Sequence, residues 1–222
     1  MYMIGNDSAS KTKTISELVK TLPFFDFQDI APVEKNRTYL AIILSRYIKS
    51  GKFIRLKKGF YTTKEYVDET QKNRSFSRYL EFLANVLYQP SYLSLEYVLS
   101  QHSLITEVAA NFTSVTINKT KHFSNSLGRF FYHTVKNELF SGFNIEKEGN
   151  LTILKATKTK ALFDFLYLRK NLLSDENTVE ELRLNLLNLT GRDIRELKKY
   201  VDSEGSKRMK NIFNLIVELW KR

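Results

Sequence analysis

The sequence predicts an α+β protein built around two cores, and three observations carry that expectation. Residues 14–63 read as helices followed by a glycine-turned hairpin, residues 112–155 as a run of short β-prone segments, and residues 156–222 as helices with apolar positions three and four apart. At 222 residues, with 42% hydrophobic and 13% aromatic side chains, the chain has material for two packed domains. The expected boundaries are 1–13 for a flexible tail, 14–75 for a first domain, 76–175 for a second, α+β domain, and 176–222 for a helical C-terminal cap.

Residues 1–13 are polar and basic without periodicity, which predicts a poorly ordered tail. Thr14 fits the N-cap of a short helix carrying Ile15, Leu18, Val19 and Leu22, and Pro23 blocks its continuation. Residues 24–30 suggest a short extended piece running into a second helix that stops around Pro32. Over 35–50, Leu40, Ile43, Leu44, Tyr47 and Ile48 recur at helical spacing and form a buried face, which Gly51 closes. Lys35, Thr38, Tyr39, Ile42, Ser45, Arg46 and Lys49 fall on the opposite side. Two β-prone runs, 53–56 and 60–63, are then joined by Lys57-Lys58-Gly59, where glycine supplies the positive φ of a tight turn.

Helix, helix, longer helix and hairpin, in that order, is the plan of a winged helix-turn-helix. In that fold the third helix enters the major groove of DNA and the wing touches the flanking backbone. From Arg46 to Lys58 the cations Arg46, Lys49, Lys52, Arg55, Lys57 and Lys58 occur with no carboxylate among them, where a merely solvated surface mixes signs. The candidate DNA-binding residues are therefore Lys35, Asn36, Arg37, Thr38, Ser45, Arg46, Lys49, Lys52, Arg55, Lys57 and Lys58. Asn36, Arg37 and Thr38, near the start of the third helix, are placed to reach base edges, and the other cations to meet phosphate.

Residues 66–77 are polar, either a connector or an exposed helix, with the domain boundary near residue 75. Tyr79, Phe82, Leu83, Val86 and Leu87 form a helical stripe ending before Pro90, and Leu95, Tyr97, Val98 and Leu99 suggest another short helix. Strands follow at 112–118, 121–124 and 129–135, then at 144–148 and 151–155 around the turn Gly149-Asn150, which predicts a β-meander packed on helices. Residues 156–168 return to helix, burying Ala161, Leu162, Phe165, Leu166 and Leu168. Three further helical stripes, at 179–188, 194–201 and 209–220, make the C-terminal cap, whose apolar side carries Ile212, Phe213, Leu215, Ile216, Leu219 and Trp220.

The net charge of +11 and pI of 9.6 favour anionic partners. No cysteine occurs, which excludes disulfides, thiol catalysis and cysteine-bound zinc, and His102, His122 and His133 have no metal-ligand spacing. There is no signal peptide and no apolar run of about 20 residues, so the chain reads as soluble and cytoplasmic, without a membrane partner. No phosphate loop, nucleophile elbow or His-Glu metal motif is found; no catalytic residue, metal or cofactor is expected. A carboxylate cluster of Glu138, Glu146 and Glu148 with Lys155 reads as solvent-facing charge on a hairpin, and Asp164 as a hydrogen-bonded structural carboxylate.

Four blocks carry a resemblance: YLSLEYVLSQHSLITE (92–107), SVTINKTKHF (114–123), LGRFFYHTVKNELFSGF (127–143) and ATKTKALFDFLYL (156–168). In this order, behind a basic DNA-binding module, they resemble the AbiEi family over residues 14–170. These proteins are antitoxins and autoregulators of bacterial type IV toxin–antitoxin and abortive-infection systems, which act in phage defence. The chain departs from the family where members often have a proline and a glutamate before the lysine of the last block; here the residues are Lys158-Thr159-Lys160. The resemblance implies a transcriptional repressor that binds inverted repeats in its own promoter; in solution a monomer or a dimer is expected. It also implies a functional partner, a cognate nucleotidyltransferase toxin, which such antitoxins counteract without needing a stable complex. The residues leave two alternatives open: an interaction module that grips a toxin directly, and a metal-dependent nuclease using Glu138, Glu146 and Glu148.

Overall fold

The computed structural model describes residues 5–222, with side chains from Lys11 onward. The protein is mixed α+β, with a helical N-terminal region followed by a sheet. It divides into two compact units: residues up to Leu80 with Phe123–Gly128, and Glu81–His122 with Arg129–Arg222.

In the first unit, α1 (Gly5–Val19) begins well before Thr14, inside the segment expected to be a tail; residues 1–4 of that segment lie outside the described residues. Ile15 and Val19, one turn apart on α1, are fully buried, whereas Leu18 remains 44% exposed. The extended piece after Pro23 is a single bridge in which Phe25 and Tyr61 exchange both backbone hydrogen bonds, at 2.8 and 2.9 Å. Asp26 then caps α2 (Phe27–Ile30) in a reciprocal capping box with Asp29.

After α2 comes α3 (Arg37–Lys49), followed by β1 (Phe53–Lys57) and β2 (Phe60–Thr63), an antiparallel pair. Leu40, Ile43 and Leu44 of α3 pack with Ile15, Val19, Phe25, Ile30, Phe53 and Tyr61 in one buried cluster. Each side chain of this size removed from water is worth about 1.5–3 kcal/mol, so the cluster sets the relative placement of α1, α2, α3 and the hairpin. The polar stretch that follows is a helix, α4 (Lys64–Lys72), capped by Thr63 and burying Val67 and Thr70. Next, α5 (Phe76–Val86) starts in the first unit and ends in the second. At its first-unit end the Tyr79 hydroxyl donates to the Pro23 carbonyl at 2.7 Å and lies 2.8 Å from the Thr62 hydroxyl.

The second unit corrects the expected meander. Its strands are β3 (Ser91–Leu93), β4 (Phe112–Thr116), β5 (Lys121–Asn125), β6 (Gly128–Thr134), β7 (Phe143–Glu148) and β8 (Leu151–Ala156), in the spatial order β5-β6-β4-β3-β8-β7. A meander would place each strand beside the next in sequence. Instead β4 pairs parallel with β6, and β3 pairs antiparallel with β4 and parallel with β8. The physical reason is β3 itself, which is buried throughout and takes a central position that a three-residue run cannot announce by alternation.

Helices α6 (Leu95–Gln101) and α7 (Lys158–Arg169) accompany the sheet. Thr157 caps α7 by accepting from the Lys160 amide, so Lys158-Thr159-Lys160 form a normally capped first turn. Leu168 is only half-buried, whereas Lys160 and Asp164 are completely enclosed. Then α8 (Glu176–Glu180), α9 (Gly191–Glu204) and α10 (Lys207–Lys221) form the C-terminal end, with Met209, Ile212 and Ile216 of α10 buried.

Gly142, between β6 and β7, has φ +77°, and a Cβ there would collide with the Tyr200 hydroxyl. Both effects penalise a side chain, so Gly142→Ala is expected to cost at least about 2 kcal/mol, read as a lowered urea midpoint with unchanged m.

Candidate nucleic-acid interface

The candidate surface starts at the cap of α3. Asn36 Oδ1 accepts from the amides of Thr38 at 3.0 Å and Tyr39 at 3.1 Å, satisfying two donors that the first turn leaves open. Asn36 is thus committed to the cap through its oxygen. Lys35 precedes the helix. Replacing Asn36 by alanine is expected to destabilise the first unit by about 1 kcal/mol, measured by thermal unfolding.

Beyond the cap, Arg37, Thr38, Ala41, Ile42, Ser45, Arg46 and Lys49 are exposed along α3. Their spacing follows from the buried positions, because Leu40, Ile43 and Leu44 take the inward face and leave this stripe on the other. Tyr39, read from the sequence on the free face, packs against the core instead. Ala41 was not singled out by sequence reasoning, and its exposure shows only once the helix orientation is known. It lies beside Ile42, which is 44% exposed and apolar in the middle of the stripe.

The hairpin joins α3 through a ring stack of Tyr47 on Phe53, with centroids 4.5 Å apart. Lys52 sits at that junction, its Nζ 5.4 Å from the Tyr47 ring. At the far end Lys57 faces Phe60 in the ladder, and Gly59 between them has φ +83°. Arg55 and Lys58 are exposed, while Lys57 is half-buried with its ammonium 3.8 Å from the Phe60 ring centroid.

From Lys35 to Lys58 the chain carries Lys35, Arg37, Arg46, Lys49, Lys52, Arg55, Lys57 and Lys58 and no carboxylate. Among the described residues, Lys35, Arg37, Arg46, Lys49, Lys52, Arg55 and Lys58 form no ion pair. Some cations elsewhere are matched, Lys155 to Glu81 at 2.6 Å, Lys158 to Asp193 at 2.7 Å and Lys170 to Glu204 at 2.7 Å, whereas others, such as Lys136, Lys147, Arg192 and Lys210, form no ion pair among the described residues. The carboxylate nearest in sequence, Glu34, accepts from the Asn36 amide at 2.9 Å and pairs with Lys11 at 3.2 Å. These two partners hold its carboxyl below the usual range, so its charge is engaged at the helix start. The surface can therefore do one thing readily: exchange its counterions for a polyanion.

No family model matches the chain, and no curated protein matches it.

The other candidates are arranged differently. Glu138 lies in a single helical turn, Glu146 and Glu148 lie on β7, and Lys155 turns to Glu81 at 2.6 Å, with Glu146 at 3.9 Å. Among the described residues no three His, Asp or Glu side chains are grouped to hold a metal ion. Asp164 is fully bonded: Ser94 and Tyr92 hydroxyls donate to it at 2.8 and 2.9 Å, and Lys160 Nζ at 2.6 Å. Among the described residues no helix is long and apolar enough to cross a membrane.

Proposed function

We propose that the first unit is a winged helix-turn-helix that binds double-stranded DNA, with α3 in the major groove and the β1–β2 hairpin along the adjacent phosphates. One observation carries the reading: exposed cations of α3 and the hairpin stand without carboxylate partners on consecutive elements that share one core. The order helix, bridge strand, helix, helix, hairpin supports it. On α3, Arg37 and Thr38 are the base-reading candidates, Ile42 suits a thymine methyl, and Ser45 suits either a base edge or a phosphate. Arg46, Lys49, Lys52, Arg55 and Lys58 suit phosphate, and such contacts position the protein without specifying sequence.

The biological reading rests on the AbiEi resemblance of the second unit's segments. It is a cytoplasmic antitoxin that represses its own promoter and counteracts a nucleotidyltransferase toxin. Fluorescence anisotropy with a duplex from the region upstream of its own gene, against a scrambled duplex, tests DNA binding. Binding should weaken with salt at a log–log slope of about −0.9 per phosphate contacted, and the upstream duplex should bind more tightly. Equal, salt-insensitive binding to both would overturn the proposal. Co-expression with the neighbouring gene product tests the antitoxin part, since rescue of growth from that product is its expected outcome.

A further inference from the structure

β1 does not pair evenly with β2. Its register runs from Arg55 opposite Tyr61 directly to Lys57 opposite Phe60, so Leu56 has no partner in the ladder. Such a bulge re-aims the strand and leaves backbone polar groups out of the pairing, where they must find other partners. The Leu56 side chain at the bulge is buried. Its carbonyl accepts from Asn125 Nδ2 at 3.0 Å, from a residue 69 positions further along the chain.

Asn125 is held at its other end as well, because its Oδ1 accepts from the Leu127 amide at 2.8 Å. The same turn brings Phe123, whose ring lies 5.8 Å from the Lys57 ammonium, on top of the closer Phe60 contact. Phe123–Gly128 accordingly groups with the first unit although it belongs to the β5–β6 segment in sequence. A two-stranded hairpin is marginal on its own and would leave Lys58 at its tip free to swing. Here a distant turn supplies the missing donor at the bulge, one residue before Lys57.

We infer that Asn125 is a positioning residue for the duplex interface: by locking the Leu56 bulge it aims the hairpin tip, and Lys58 with it, at the phosphate backbone. The inference rests on the DNA-binding reading and extends the interface to a segment outside α3 and the hairpin. A purely structural hydrogen bond would alter stability and leave the electrostatics of binding alone. A positioning contact instead removes phosphate contacts when it is lost.

The test compares wild type, Asn125→Ala, Lys58→Ala and the double variant by anisotropy on the upstream duplex across a salt series, with thermal unfolding of each. One phosphate contact is worth about 0.9 log unit at 0.1 M salt. Asn125→Ala should therefore weaken binding by about threefold to tenfold and make the salt slope shallower by up to about 0.9. In the Lys58→Ala background the same change should cost less than about twofold, because the contact it positions is already gone. If Asn125→Ala unfolds the unit, Asn125→Ser carries the test, since its hydroxyl still accepts from Leu127 while lacking reach to Leu56. An unchanged slope, or equal losses in both backgrounds, overturns the inference while a Lys58→Ala loss leaves DNA binding standing. No salt-dependent binding by wild type removes both.

Discussion

Replacing Arg46, Lys49, Arg55 and Lys58 together by alanine is expected to lower affinity for duplex DNA by up to about three and a half orders of magnitude at 0.1 M salt. It should also flatten the salt dependence by up to about 3.6 in log–log slope. All four side chains are exposed, and among the described residues none is paired with a carboxylate, so their removal strands no opposite charge. Stability should therefore stay within about 0.5 kcal/mol per site. Lys52 and Lys57 are spared because each ammonium lies over an aromatic ring, Tyr47 and Phe60 respectively. Their loss would mix packing with charge. A quadruple variant that binds as tightly as wild type, with the same slope, would sink the docking model. Substitution of Arg37 or Thr38 should instead change preference among duplex sequences with little change in slope.

Lys160→Met is expected to destabilise the second unit by about 3–5 kcal/mol. Lys160 and Asp164 are both fully buried one turn apart on α7, 2.6 Å from each other. Burial works against both charges, pushing the Asp164 carboxyl up and the Lys160 ammonium down. What offsets that cost is the set of partners around the pair: Lys160 also donates to the Leu139 carbonyl at 2.8 Å and lies 4.7 Å from the Phe163 ring. Removing the ammonium leaves a carboxylate enclosed with only two hydroxyl donors.

Without Lys160 the folded-state pKa of Asp164 rises further, while the unfolded value stays near about 3.9. Stability of the variant should be greatest below that pH and fall as pH rises toward the raised folded value. Lys160→Met combined with Asp164→Leu should recover much of the loss, because no lone charge remains. Urea midpoints of the two variants between pH 4 and 8 check both statements. A single variant as stable as wild type at pH 8 would show that the pair is not ionised.

Much of the first unit was legible because its signals are local. The apolar spacing of Leu40, Ile43 and Leu44 sets one face of α3 inward, which leaves Thr38, Ile42, Ser45 and Lys49 outside without reference to any distant residue. Gly59 marks the hairpin turn in the same way. Asn36 shows where local reading divides, because an asparagine before an apolar-periodic run suits a cap as well as a base contact. The backbone amides of Thr38 and Tyr39 took its oxygen for the cap.

By itself the sequence determined the succession of helices and strands near the N-terminus, the cationic character of one surface and the lack of any thiol chemistry. Each of these depends on spacing or on residue type alone. Only the tertiary structure decided the sheet order, the companionship of Asp164 with Tyr92 and Ser94, and the capture of the Leu56 carbonyl by Asn125. Those arrangements join residues far apart in the chain, and what selects them is the satisfaction of buried polar groups in a closed core. No periodicity within a strand or helix records that requirement.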